Sequence, residues 1–133
     1  MRVRRRSRRA GARRVLRGRG DGRPMVRGND GAERLGAAEL GAELGERATL
    51  VQFSSAFCQP CRATRRVLAD VAGMVDGVSH VELDAEERLE LVRALGILRT
   101  PTVLVLDAGG SVVRRAAGQP RTADVIAALG EAL

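Results

Sequence analysis

The only two cysteines in these 133 residues stand three apart, in Phe57-Cys58-Gln59-Pro60-Cys61, where an apolar strand gives way to a helix. One helical turn separates the two side chains, so both sulfurs come to the same helix end and can close a small disulfide and open it again. There the unpaired N–H groups of the first turn and the helix dipole favour a thiolate on Cys58, the outer and more accessible sulfur. Pro60 costs little in a first turn, where no carbonyl four residues back awaits its missing N–H, and it stiffens the turn. This context favours a redox-active pair, while a structural or vestigial disulfide and two thiols that merely lie close stay open as alternatives. A zinc site fits poorly, because it needs four ligands and the chain adds only His80, so no metal is expected.

The length suffices for one domain with a sizeable core. No apolar run approaches the ~18 residues of a membrane span, and the longest, around residues 102–106, has the length of a strand. As written, the chain is therefore expected in the cytoplasm, or membrane-associated if its true start lies upstream. The net charge of +7 is unevenly placed: residues 1–24 hold eleven arginines and one aspartate, and residues 25–133 carry a net of −3. Residues 1–31 show no sustained apolar periodicity and cannot offset the entropy of ordering, so a disordered Arg-rich tail is expected there. Such a tail suits anionic membrane or nucleic acid, or is the remnant of a juxtamembrane or targeting region, or reflects a start site at Met25 or further upstream. It is not a twin-arginine export signal, since no apolar stretch follows the arginines.

Leu35, Leu40 and Leu44 suggest a helix between Gly31 and Arg47, weakened by three internal glycines at about 1 kcal/mol each. Residues 49–54 read as a buried strand with Gln52 as its polar interior candidate. The helix from Cys58 to about Gly73 shows an apolar Ala63, Val67, Val71 face, with Arg62, Arg65 and Arg66 outward. Arg62 is either solvated or a source of positive potential near Cys58. Val78–Asp84 alternates, which places His80 on an exposed polar face, and Asp84 with Glu87 suggests a capping box before a helix that turns Leu89, Val92 and Leu95 inward. Residues 102–106 and 111–115 form a hairpin about Asp107–Gly110, and a last helix follows Pro120 with Val125, Ile126 and Leu129 on one face. Strand–helix alternation implies parallel pairing, with the hairpin as an antiparallel edge.

From about residue 33 to 133 the chain resembles the thioredoxin-like family. The resemblance rests on the apolar strand running into Cys58-Gln59-Pro60-Cys61, on Asp84 closing the next strand, on Thr100-Pro101-Thr102 before a buried strand, on the Gly109-Gly110 hairpin and on Gly118. It is similar in its Gln-Pro dipeptide to actinobacterial domains, some tethered to a membrane by a preceding helix. The resemblance implies an α/β fold, a three-layer α/β/α sandwich on a four-stranded mixed sheet with room for a fifth short strand at Met25–Arg27, in a domain at 32–133 behind the tail at 1–31. It implies a protein-disulfide oxidoreductase, monomeric, that needs a redox donor or acceptor protein and no cofactor. Cys58 would attack and Cys61 resolve. Pro101 would be cis against the disulfide, Phe57, Gln59, Pro60, Thr100 and Pro101 would receive substrate, and Gln52 and Arg62 would support the pair. Three residues depart from the family pattern: Phe57 replaces a tryptophan, Gln59 a glycine, and Gln52 a buried aspartate that moves protons at the inner cysteine. Glutamine cannot titrate, so water is expected to serve Cys61 and resolution to slow at neutral pH. The alternative is a non-catalytic module of this fold with a basic nucleic-acid- or membrane-binding tail.

Overall fold

Seven consecutive buried residues make an interior strand of the sheet. In the computed structural model, which describes residues 25–27 and 33–133, Ala48–Ser54 (β2) is covered on both faces. Its neighbours are Val78–Asp84 (β3), which runs parallel to it, and Thr102–Asp107 (β4), which runs antiparallel. Val112–Ala117 (β5) continues the hairpin from β4, and Val26–Arg27 (β1) pairs antiparallel with β5, giving the order β1-β5-β4-β2-β3. The expected four strands and the short fifth are thus all present in an α/β/α sandwich. Of the tail expected at 1–31, Val26–Arg27 joins the sheet, with Met25 described beside it, and the rest lies outside the described residues.

Side chains alternate across the sheet and split the core in two. Ala48, Leu50, Val103 and Val105 meet Gln59–Met74 (α2) and Thr122–Ala132 (α4) through Leu68, Val71, Val125 and Leu129. Val51, Phe53, Leu104 and Leu106 face the other way, onto Leu35, Leu40, Leu95 and Ile97. Fully burying one such side chain stabilises the fold by about 1.5–3 kcal/mol, so each layer is held by many small gains.

Several sequence expectations are corrected. The first helix is only Ala37–Leu40 (α1), because Gly41 takes a left-handed φ of 69° and ends it. Leu35 and Leu40 are nonetheless buried. On α2 the inward residues are Cys61, Thr64, Leu68 and Val71, so Ala63 and Val67 border the buried stripe instead of centring it. Asp84 caps a 3-10 turn at Ala85–Glu87 by accepting from the Glu86 N–H at 2.8 Å, and the helix that follows is only Leu89–Ala94 (α3), with Leu89 exposed. On α4, Ala128 and Ala132 are buried and Ile126 is exposed.

The direction of β4 also differs from the expectation of parallel pairing for strands joined through helices and an antiparallel edge only at the closing hairpin. Among the described residues only the β2–β3 pair is parallel. A helix the length of α3 spans roughly 9 Å, whereas a seven-residue strand spans roughly 23 Å. The α3 connection leaves the chain at the end of the sheet where β3 finished, and β4 runs back antiparallel to β2.

Candidate active site

The cysteine pair sits where β2 hands over to α2. Ser54 closes the strand, Ser55 and Ala56 turn the chain, and Phe57 takes a φ of 57°, uncommon for a bulky residue, and is 99% exposed. Cys58 is the N-cap of α2, in extended conformation, and its Sγ accepts from the Cys61 N–H at 3.2 Å. Cys58 and Cys61 are joined as a disulfide with their Cα atoms 5.2 Å apart. Cys58 is half-buried and Cys61 is 1% exposed, so one sulfur faces the surface and the other faces the core. Pro60 lies in the first turn, and Thr64 closes it by donating to the Pro60 carbonyl at 2.8 Å.

A second loop comes to the same end of the sheet. The Thr100–Pro101 peptide bond is cis, as the resemblance implied, and the Thr100 hydroxyl is 2.7 Å from the Ser55 hydroxyl, so the two loops are tied. Pro101 is buried and its carbonyl accepts from the Gly118 N–H at 2.7 Å. Pro60, Thr100, Pro101, Gly118, Gln119 and Pro120 wall a groove beside the cysteines. Phe57 and Gln59 are exposed next to the pair and are not among its walls. Arg62 is exposed and donates to Gln59 Oε1 at 3.1 Å, which tethers both side chains on the outer face of the first turn.

Beneath the pair lies a polar network that the sequence reading missed. Gln52 is fully buried and its amide nitrogen donates to the Cys61 carbonyl at 2.9 Å and to Ser54 Oγ at 3.0 Å. Ser54 in turn donates to Glu82 Oε2 at 2.7 Å, and Arg65 grips both Glu82 oxygens at 2.7 and 2.8 Å. His80 Nε2 is 3.1 Å from Gln52 Oε1, so His80 is half-buried within this network, not exposed as expected. Parallel pairing is the cause: Gln52 and Ser54 on β2, and His80 and Glu82 on β3, share the face that α2 covers. Two polar residues at alternate positions on each of two adjacent strands were the available signal.

The Arg65 hydrogen bonds hold the Glu82 carboxyl below its ordinary value of 4.5, against the opposing effect of burial. A depressed carboxylate stabilises the folded chain above its unfolded pKa, and that contribution is lost as the pH falls through the folded value. Glu82→Gln is expected to cost about 1 kcal/mol at pH 7, since half-exposed Arg65 is screened by water, and to flatten the acid limb of stability below roughly pH 4.5. Urea denaturation at pH 7 and in acid checks this, with a smaller fall expected in the variant. Glu33, raised by burial despite Arg115, works in the opposite sense and is common to both proteins.

With this geometry in place, the comparisons with known proteins decide the family. The thioredoxin family profile matches residues 37–131. The chain belongs to the thioredoxin family. It is 37% identical over 79 residues to a thioredoxin of Alicyclobacillus acidocaldarius, covering 58% of this chain and 74% of that one. A thioredoxin of Bacillus subtilis is 31% identical over 83 residues, covering 62% and 80%. Among solved structures, thioredoxin F from spinach chloroplast superposes with a TM-score of 0.58 at 26% identity, covering 66% of this chain and 78% of that one. A mutant thioredoxin from Halobacterium salinarum, at 20% identity and a TM-score of 0.60 over 65% and 75%, supports the fold. The finer likeness to actinobacterial domains finds no support in these relatives. A Cys58–Cys61 pair at the helix tip of a thioredoxin fold carries thiol–disulfide exchange chemistry.

Proposed function

We propose that this thioredoxin domain exchanges disulfides with protein substrates, Cys58 as attacking thiolate and Cys61 as resolving sulfur. The observation that carries this reading is the unequal placement of the two sulfurs, half-exposed at the helix N-cap and buried one turn on. In the reducing direction, Cys58 attacks a substrate disulfide and releases one substrate thiolate. Cys61 then attacks Cys58 Sγ, releases the second, and leaves the domain oxidised by two electrons that a donor protein must restore. The groove walled by Pro60, Thr100 and Pro101 suits an extended substrate segment, and Phe57 and Gln59 offer exposed contact beside it.

Reduction of insulin disulfides by the full chain with dithiothreitol as donor tests this reading. Precipitation of insulin B chain well above the dithiothreitol background is expected, and its absence in a properly folded sample would favour a non-catalytic binding module. The Arg-rich residues 1–24 are proposed to add polyanion affinity, with +10 of charge against −3 for the remainder. A chain starting at Met25 should then keep insulin reduction and lose retention on heparin. The cytoplasmic placement suits a protein whose two cysteines both belong to one exchangeable pair, and cell fractionation tests it. Among the described residues no helix is long and apolar enough to cross a membrane.

A further inference from the structure

Gln52 cannot titrate, but the imidazole bonded to it can. The orientation of the groups follows from what each atom is able to do. A carbonyl only accepts, so the Gln52 atom 2.9 Å from the Cys61 carbonyl is the amide nitrogen, and the atom 3.1 Å from His80 Nε2 is the amide oxygen. Ser54 agrees, because its single proton goes to Glu82 and it must receive from Gln52. An amide oxygen also only accepts, so His80 Nε2 carries a proton in both charge states. A second proton therefore enters at Nδ1 and breaks none of these bonds.

We propose that His80 couples the ionisation of Cys61 to pH: its imidazolium, bonded through Gln52 to the first turn of α2, favours the Cys61 thiolate and sustains resolution of the mixed disulfide in mild acid. This rests on Cys61 being the resolving sulfur. The charged groups facing His80 are Glu82 from β3 and Arg65 from α2, while β2 presents the neutral Gln52 and Ser54. Arg65 and Glu82 neutralise each other in a two-bond pair, so a proton on His80 is an unbalanced positive charge linked through Gln52 to the Cys61 carbonyl. Burial holds His80 below the usual imidazole range, with Glu82 pulling up and Arg65 pushing down, so this charge enters in mild acid. There the thiolate fraction of an uncoupled thiol falls tenfold with each pH unit, and a compensating charge matters most. His80 acts through Gln52 and is a positioning residue.

Stopped-flow mixing of the reduced full chain with Ellman's reagent isolates the step. Cys58 thiolate attacks the reagent's disulfide and expels one aryl thiolate. Cys61 gives its proton to solvent, attacks Cys58 Sγ and expels the second, so the protein loses two electrons and the reagent becomes two aryl thiolates. The second phase therefore reads resolution. In the wild-type protein its logarithm is expected to rise with pH, flatten over a step in mild acid, and rise again. His80→Gln keeps a donor for Gln52 and cannot titrate, so it should give one straight line, about three- to tenfold slower at pH 5.5 and within about twofold of wild type at pH 8. His80→Lys keeps the charge and should stay on the faster line through pH 8. A merely structural role would displace the rate by one factor at every pH, and that result, or superimposed profiles, would overturn the proposal. A wild-type protein with no second phase at any pH would remove the resolving role of Cys61 and the proposal with it, whereas a second phase without the step would sink the proposal alone.

Discussion

Cys61→Ser protein mixed with a disulfide-bonded substrate is expected to accumulate as a covalent adduct through Cys58 and to turn over on the order of a thousandfold more slowly than wild type. Cys58 keeps its position at the helix N-cap, so capture proceeds. Serine fits the space of a side chain that is 1% exposed, but its hydroxyl cannot displace a sulfur from a disulfide at neutral pH. Non-reducing electrophoresis and intact mass report the adduct, which dithiothreitol should release. Turnover at the wild-type rate would mean that a group other than Cys61 resolves the intermediate.

The largest effect expected on stability comes from a residue far from the sulfurs. Gly110 takes a φ of 90° in the β4–β5 turn, where its N–H donates to the Asp107 carbonyl at 2.9 Å and its carbonyl accepts from the Leu35 N–H at 2.9 Å. A Cβ there would stand 2.2 Å from the Leu35 carbonyl oxygen, which is backbone and cannot swing aside. Either the turn opens or the segment carrying Leu35 lifts from the sheet and withdraws that buried side chain from the core. Gly110→Ala should therefore cost about 2–4 kcal/mol, combining backbone strain with loss of packing. Urea denaturation checks it, and a loss under about 0.5 kcal/mol would show that the contact is easily relieved. Disulfide exchange should survive in the fraction that stays folded, since the turn and the cysteines are on separate elements.

How far the sequence disclosed this arrangement depended on whether a signal was local. The run at 49–54, the alternation at 78–84 and the Asp107–Gly110 turn each report strand or hairpin within a few residues, and they form as expected, the first one residue longer at its start. The cysteine pair announces itself in the same way, because a helix N-cap, a first-turn proline and a one-turn spacing are all contiguous. What stayed hidden depends on residues distant in the chain. His80 reads as a surface residue on its own strand and becomes half-buried only because β3 lies parallel to β2 under α2. The antiparallel course of β4 follows from how short α3 is, and three glycines left the extent of α1 undecided until packing chose Gly41 as its end. The bond between Ser55 and Thr100 spans 45 residues and joins the two loops only after the sheet has formed.

Capture of a substrate disulfide at neutral pH requires an outer sulfur that ionises readily while its partner lies sealed behind it. The most direct measurement is the rate of iodoacetamide alkylation of the reduced protein at pH 6.5, with the modified residue located by peptide mass. Cys58 is expected to react about tenfold or more faster than glutathione, and Cys61 to stay unmodified over the same interval. Alkylation of Cys58 no faster than that of glutathione, or modification of both cysteines at equal rates, would contradict it.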